Sequence, residues 1–67
     1  MILKEFWYTK GPTVASETFD RFFEAENWWN QNFGRFTAAG RLVEVWHSPK
    51  AGPFTKVFSN EKAINKL

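Results

Sequence analysis

Between residues 17 and 36 the large aromatic side chains recur at helical spacing. At 100° per residue, Phe19, Phe22, Phe23, Trp29, Phe33 and Phe36 fall within about 140° of one another, and Glu17, Asp20, Arg21, Glu24, Asn27, Gln31 and Asn32 take the other side. Ser16 reads as an N-cap, with Glu17 and Asp20 favouring the positive end of the helix dipole. Gly34 reads as the residue that ends the helix. The spacing therefore predicts a helix over residues 17–33, about 25 Å long. Two residues break the pattern: Glu26 falls inside the apolar stripe and Trp28 in the centre of the polar face. A bend near residue 26 would re-aim both.

One helix can cover one face of one sheet, and the rest of the chain reads as sheet. Residues 2–9 are rich in aromatics and stop at the turn signal Lys10-Gly11-Pro12. Residues 41–48 and 54–59 form a hairpin around Pro49 to Pro53. Thr37 to Gly40 is a short connector. Ser59 or Asn60 caps a short terminal helix over residues 61–67. The expectation is a single α+β domain of order β-α-β-β, one amphipathic helix on a three-stranded antiparallel sheet.

A chain of 67 residues with no cysteine has no disulfide and no thiolate chemistry, and a small core is marginal without a staple. Eight Phe, four Trp and one Tyr supply the missing area, since each buried ring removes far more surface from water than an aliphatic side chain. No apolar run approaches the roughly 18 residues that span a bilayer. Lys4 and Glu5 interrupt the apolar N-terminal stretch, which a signal peptide does not tolerate. A cytoplasmic location and no membrane partner are expected.

Strand alternation leaves too much apolar surface for one helix to cover. If Phe6, Val43 and Val45 face the helix, then Leu3, Trp7, Leu42 and Trp46 lie on the far face, beside Glu5 and Glu44. We prefer that choice; the opposite one exposes Phe6, Tyr8, Val43 and Val45. Either the terminal segment folds over the remaining face or a partner does, and tryptophan is a common interface anchor. Trp28, ringed by Arg21, Glu17 and Glu24, is a second candidate anchor. The candidate protein-binding residues are Trp28, Arg21, Glu24, Trp7, Trp46 and Leu42, and a homodimer through the outer sheet face is a further reading.

Charge divides the chain. Residues 17–29 carry four acids against Arg21, whereas residues 30–67 carry six bases against Glu44 and Glu61. Arg41, Lys50, Lys56 and Lys62 interleave with Trp46, Phe54 and Phe58, a composition that suits single-stranded nucleic acid. The competing reading is a solvated basic edge that discourages strand aggregation. No catalytic set is expected: His47 and Ser48 point to opposite faces, Glu24 and Glu26 lie about 200° apart on the helix, and Gly34, Gly40 and Gly52 each mark a turn. No metal site and no cofactor are expected either.

The β-α-β-β order resembles the small phage-encoded inhibitors of host bacterial RNA polymerase. The matching fragments are Phe6-Trp7 with Thr9, Glu17-Thr18 with Asp20, Ala25-Glu26, and Ala39-Gly40 with Val43, together touching about half the chain. The resemblance implies a monomer that occludes a protein surface on the polymerase. The family uses arginines in its late strands, where this chain has Glu44, Trp46 and His47, with Arg41 at the strand entrance. What carries over is therefore a mode, protein binding, without individual contact residues.

Overall fold

The computed structural model describes residues 4–66; Ile2, Leu3 and Leu67, assigned above to the first strand and the terminal helix, lie outside the described residues. The order is β1 (Phe6–Lys10), β2 (Thr18–Phe19), α1 (Phe22–Ala38), β3 (Glu44–Ser48), β4 (Thr55–Ser59) and α2 (Glu61–Ile64). The strands form one antiparallel sheet in the order β2-β1-β3-β4. The α+β class stands, but the sheet has four strands, not three.

The additional strand comes from Thr9. Its hydroxyl donates to Ala15 O and accepts the Glu17 N–H, both at 2.9 Å, and its own N–H donates to Glu17 O. Thr9 is 3% exposed, so its hydroxyl needs these partners. They hold the chain extended beside β1 through Phe19, and the acidic pair Glu17 and Asp20 never enters a helical turn. The N-cap is Arg21 instead, whose N–H donates to the Glu24 carboxylate at 3.2 Å.

The helix also ends later than its internal glycine suggests. Gly34 is helical with open space around it, and α1 continues to Ala38. The end is a Schellman turn: Arg41 N–H donates to Phe36 O at 2.8 Å, and Gly40 N–H to Thr37 O at 3.0 Å. Gly40 sits at φ +71°, where a side chain is strained. Residues 37–38 are thus the last turn of α1 rather than a connector.

Cross-strand register decides the faces. Trp7 lies opposite both Phe19 and His47, Thr9 opposite Val45, and Val45 opposite Phe58. These residues share the face under α1, where Trp7 meets Phe22 edge-on at 6.0 Å. The other face carries Phe6, Tyr8, Lys10, Glu44, Trp46 and Lys56, with Tyr8 opposite Trp46 and Lys10 opposite Glu44. Both expected face combinations are therefore corrected: Trp7, not Phe6, accompanies the valines, and Phe6 and Tyr8 accompany Trp46. A bulge between Val45 and Trp46 in the β3–β4 pairing re-aims β4, which puts Phe58 on the helix side and Lys56 on the outer side.

Helix α1 runs through residue 26 as one α-helix, so no break re-aims Trp28. The buried stripe is instead turned away from the purely aromatic one. Ala25 is fully buried and Trp28, Trp29, Asn32 and Phe36 are half-buried, while Phe22, Phe23 and Phe33 stay exposed. Trp28 packs on Phe19 and Phe36, its Nε1–H donating to Glu17 at 2.9 Å. Among the described residues only Ala25, Val43 and Val45 are fully buried apolar side chains. The domain is elongated, 40 × 20 × 17 Å, with a radius of gyration of 12.3 Å against about 11 Å for a compact chain of this length.

Candidate functional site

The sheet face away from α1 is built from β1, β3 and the entrance to β4. Phe6 and Tyr8 alternate outward along β1, their rings 5.9 Å apart, and Phe54 meets Tyr8 edge-on at 6.0 Å. With Ser16 and Thr18 these three rings line a shallow groove of about 340 Å³. Phe54 is 52% exposed. Among the described residues the long helix leaves this face open, because α1 contacts β1 and β2 on the opposite one.

Trp46 stands beside Tyr8 in the neighbouring strand, and its edge and faces are ordered by charge. Its Nε1–H donates to Glu44 Oε1 at 2.9 Å. The Lys10 and Lys56 ammonium groups lie 5.0 and 5.9 Å from the ring centroid, and Lys56 also pairs with Glu44 at 3.3 Å. Both lysines are exposed, and each cation gains from the ring quadrupole. The Glu44 carboxyl is held below its ordinary value of 4.5, chiefly by the Trp46 hydrogen bond and then by Lys56 and Lys10, against an opposing push from its burial. Glu44 is therefore ionised and already engaged. A ligand arriving here meets a rigid indole flanked by two lysines.

The sequence-predicted residues scatter around this face. Trp46 and Lys56 lie on it. Trp7 is beneath α1, stacked on His47 at 4.7 Å. Trp28 is half-buried between Phe19 and Phe36. Arg21 and Glu24 frame the helix start. Half-buried Leu42 precedes β3, and its carbonyl oxygen would lie 2.5 Å from any Cβ at Gly11. Arg41 lines a separate groove with Thr13, Arg35, Phe36 and Ala39 at the end of α1. Lys50 is exposed in the β3–β4 loop and Lys62 is exposed on α2. The four basic residues do not converge on one strip.

Phe6, Tyr8 and Lys10 complete the face without having been grouped with Trp46. Alternation within β1 puts the three on one side, but only the Tyr8–Trp46 pairing joins them to the tryptophan. His47 Nε2–H donates to the Glu5 carboxylate at 2.9 Å and the ring stacks on Trp7, so it serves packing between β1 and β3. Among the described residues no three His, Cys, Asp or Glu side chains are placed to hold a metal ion. No described helix is long and apolar enough to cross a membrane.

No protein-family model, curated protein or solved structure matches the chain.

Proposed function

We propose that this chain is a small non-enzymatic protein-binding module that docks through its outer sheet face, with Trp46 as the central anchor. The observation carrying the reading is the set Phe6, Tyr8 and Phe54 in ring contact, with Trp46 paired to Tyr8 across the strands, on a face that no described helix covers. An indole held by Glu44, with two lysines beside it, offers the area and low entropy cost of an interface hot spot. The resemblance to phage inhibitors of host RNA polymerase names the first candidate, a host protein such as the polymerase. The test is binding of the full chain to immobilised host RNA polymerase. Trp46→Ala should weaken the complex by about 30-fold, as expected of a hot-spot truncation of about 2 kcal/mol. Unchanged affinity for that folded variant removes the reading.

Lys10 and Lys56 favour a second reading, single-stranded nucleic acid stacked on Tyr8 and Phe54 with phosphates on the lysines. It requires an affinity for oligonucleotides that falls steeply with salt. Capture from a host lysate with and without nuclease separates the two, and light scattering across a dilution series tests self-association through the same face.

A further inference from the structure

On the helix side of the sheet, a second aromatic surface runs along the flank of α1. Phe22 stacks on Phe58 of β4 at 5.9 Å, Phe58 on Trp29 at 5.3 Å, and Trp29 on Phe33 at 5.6 Å, with interplanar angles of 26°, 12° and 14°. The ladder is only partly covered: Phe22 is 40% exposed, Phe33 41%, and the adjoining Phe23 57%. Its rings hold one another in place, so the surface is preformed.

Glu26 sits within this surface. On an α-helix it is the i+4 neighbour of Phe22, the i+3 neighbour of Phe23 and the i−3 neighbour of Trp29, and Phe33 lies two turns further along the same side. It is exposed and forms no ion pair with any described residue. Any molecule that covers these rings must also cover the carboxylate. Burying an unpaired carboxylate is costly, and a cation held in hydrogen-bond geometry is what offsets it. Two copies of the chain meet this requirement poorly. A two-fold contact centred on the ladder brings both Glu26 carboxylates toward the axis, because residue 26 lies near the middle of the 22–33 stripe.

We propose that the Phe22–Phe58–Trp29–Phe33 ladder is a docking surface for a basic-apolar peptide segment of a protein, whose Arg or Lys pairs with Glu26 while its apolar side chains cover Phe22, Phe23 and Phe33. The surface is separate from the outer sheet face, so a domain using both would bridge two protein segments. An arginine suits the site better than a lysine, since its fork meets a carboxylate bidentately and its plane lies flat on exposed rings.

The test uses two synthetic amphipathic helical peptides, identical except for a central Arg in one and a central Glu in the other, titrated into the isotopically labelled full chain. The Arg peptide should shift the amide resonances of residues 22–33, leave those of Tyr8 and Trp46 in place, and bind at least about tenfold tighter than the Glu peptide. Glu26→Gln, an exposed near-isostere, should abolish that preference. Retention of the preference by Glu26→Gln, equal binding of both peptides, or shifts centred on β1 and β3 would each overturn the proposal. So would a dimer in light scattering that forms without peptide and disappears with Phe33→Ser. Loss of binding at the outer face in Trp46→Ala leaves these outcomes unchanged, so the two surfaces are judged separately.

Discussion

Asn60 and Val43, seventeen positions apart, are joined twice: Val43 N–H donates to Asn60 Oδ1 at 2.9 Å, and Asn60 N–H donates to Val43 O at 3.3 Å. The Asn60 amide also donates to Thr37 Oγ1 at 3.0 Å and to Arg41 O at 2.9 Å. One side chain, 2% exposed, thus ties the end of α1, the entrance to β3 and the start of α2. It stands at the N-cap position of α2, yet it makes no side-chain capping bond there, because its amide is turned inward.

Asn60→Ala should therefore cost far more than a lost helix cap. It leaves the buried Val43 N–H without its partner and removes the part-buried bonds to the Arg41 carbonyl and the Thr37 hydroxyl, which together cost about 3 kcal/mol. A urea denaturation series should show a lower midpoint with an unchanged slope. A loss under about 1 kcal/mol, the scale of an ordinary cap, contradicts the hub role.

Glu44 makes stability depend on acid. Its pKa is lower in the folded chain than its ordinary 4.5, so its contribution is complete above that value and is lost as pH falls through the lower folded value. Glu44→Gln should lower stability at pH 7 by about 1 kcal/mol and flatten its decline below pH 4.5. Thermal melts of both proteins across that window check it. Parallel acid declines would show that another carboxylate is responsible.

Three glycines should respond differently to alanine. Gly11→Ala puts a Cβ 2.5 Å from the Leu42 carbonyl and 2.9 Å from Val14 Cγ2, so it should cost about 2 kcal/mol. Gly40→Ala strains the Schellman turn at φ +71° and should cost about 1 kcal/mol. Gly34→Ala fills open space inside a helix and should stabilise by up to about 1 kcal/mol. The order of melting temperatures, Gly34→Ala above wild type and Gly11→Ala lowest, is the readout.

Trp28 and Trp46 should separate stability from binding. Trp28→Phe removes the hydrogen bond to Glu17 and part of the contact with Phe19 and Phe36, so it should lower stability by about 1–2 kcal/mol and leave partner affinity in place. Trp46→Ala should do more to affinity than to the fold. A loss of partner affinity in folded Trp28→Phe would return Trp28 to the interface.

The sequence by itself determined the features that periodicity along the chain can specify. The helical spacing of Phe22, Trp29, Phe33 and Phe36 marked α1, the Pro49 to Pro53 turn marked the β3–β4 hairpin, and one helix beside short strands implied an α+β domain with an uncovered sheet face. Trp46 on that face was legible for the same reason. Tertiary structure decided whatever depends on residues distant in sequence. Two hydrogen bonds made by the Thr9 hydroxyl, one donated and one accepted, and one donated by its backbone turned the supposed first helical turn into β2. The Trp7–His47 and Tyr8–Trp46 pairings sorted the aromatics between faces, since a one-residue change of register exchanges them all. Packing against Phe19 drew Trp28 out of the polar face and left Phe22, Phe23 and Phe33 beside Glu26. Local pattern specifies which side chains share an element's face; only the register between elements decides which of those faces is buried.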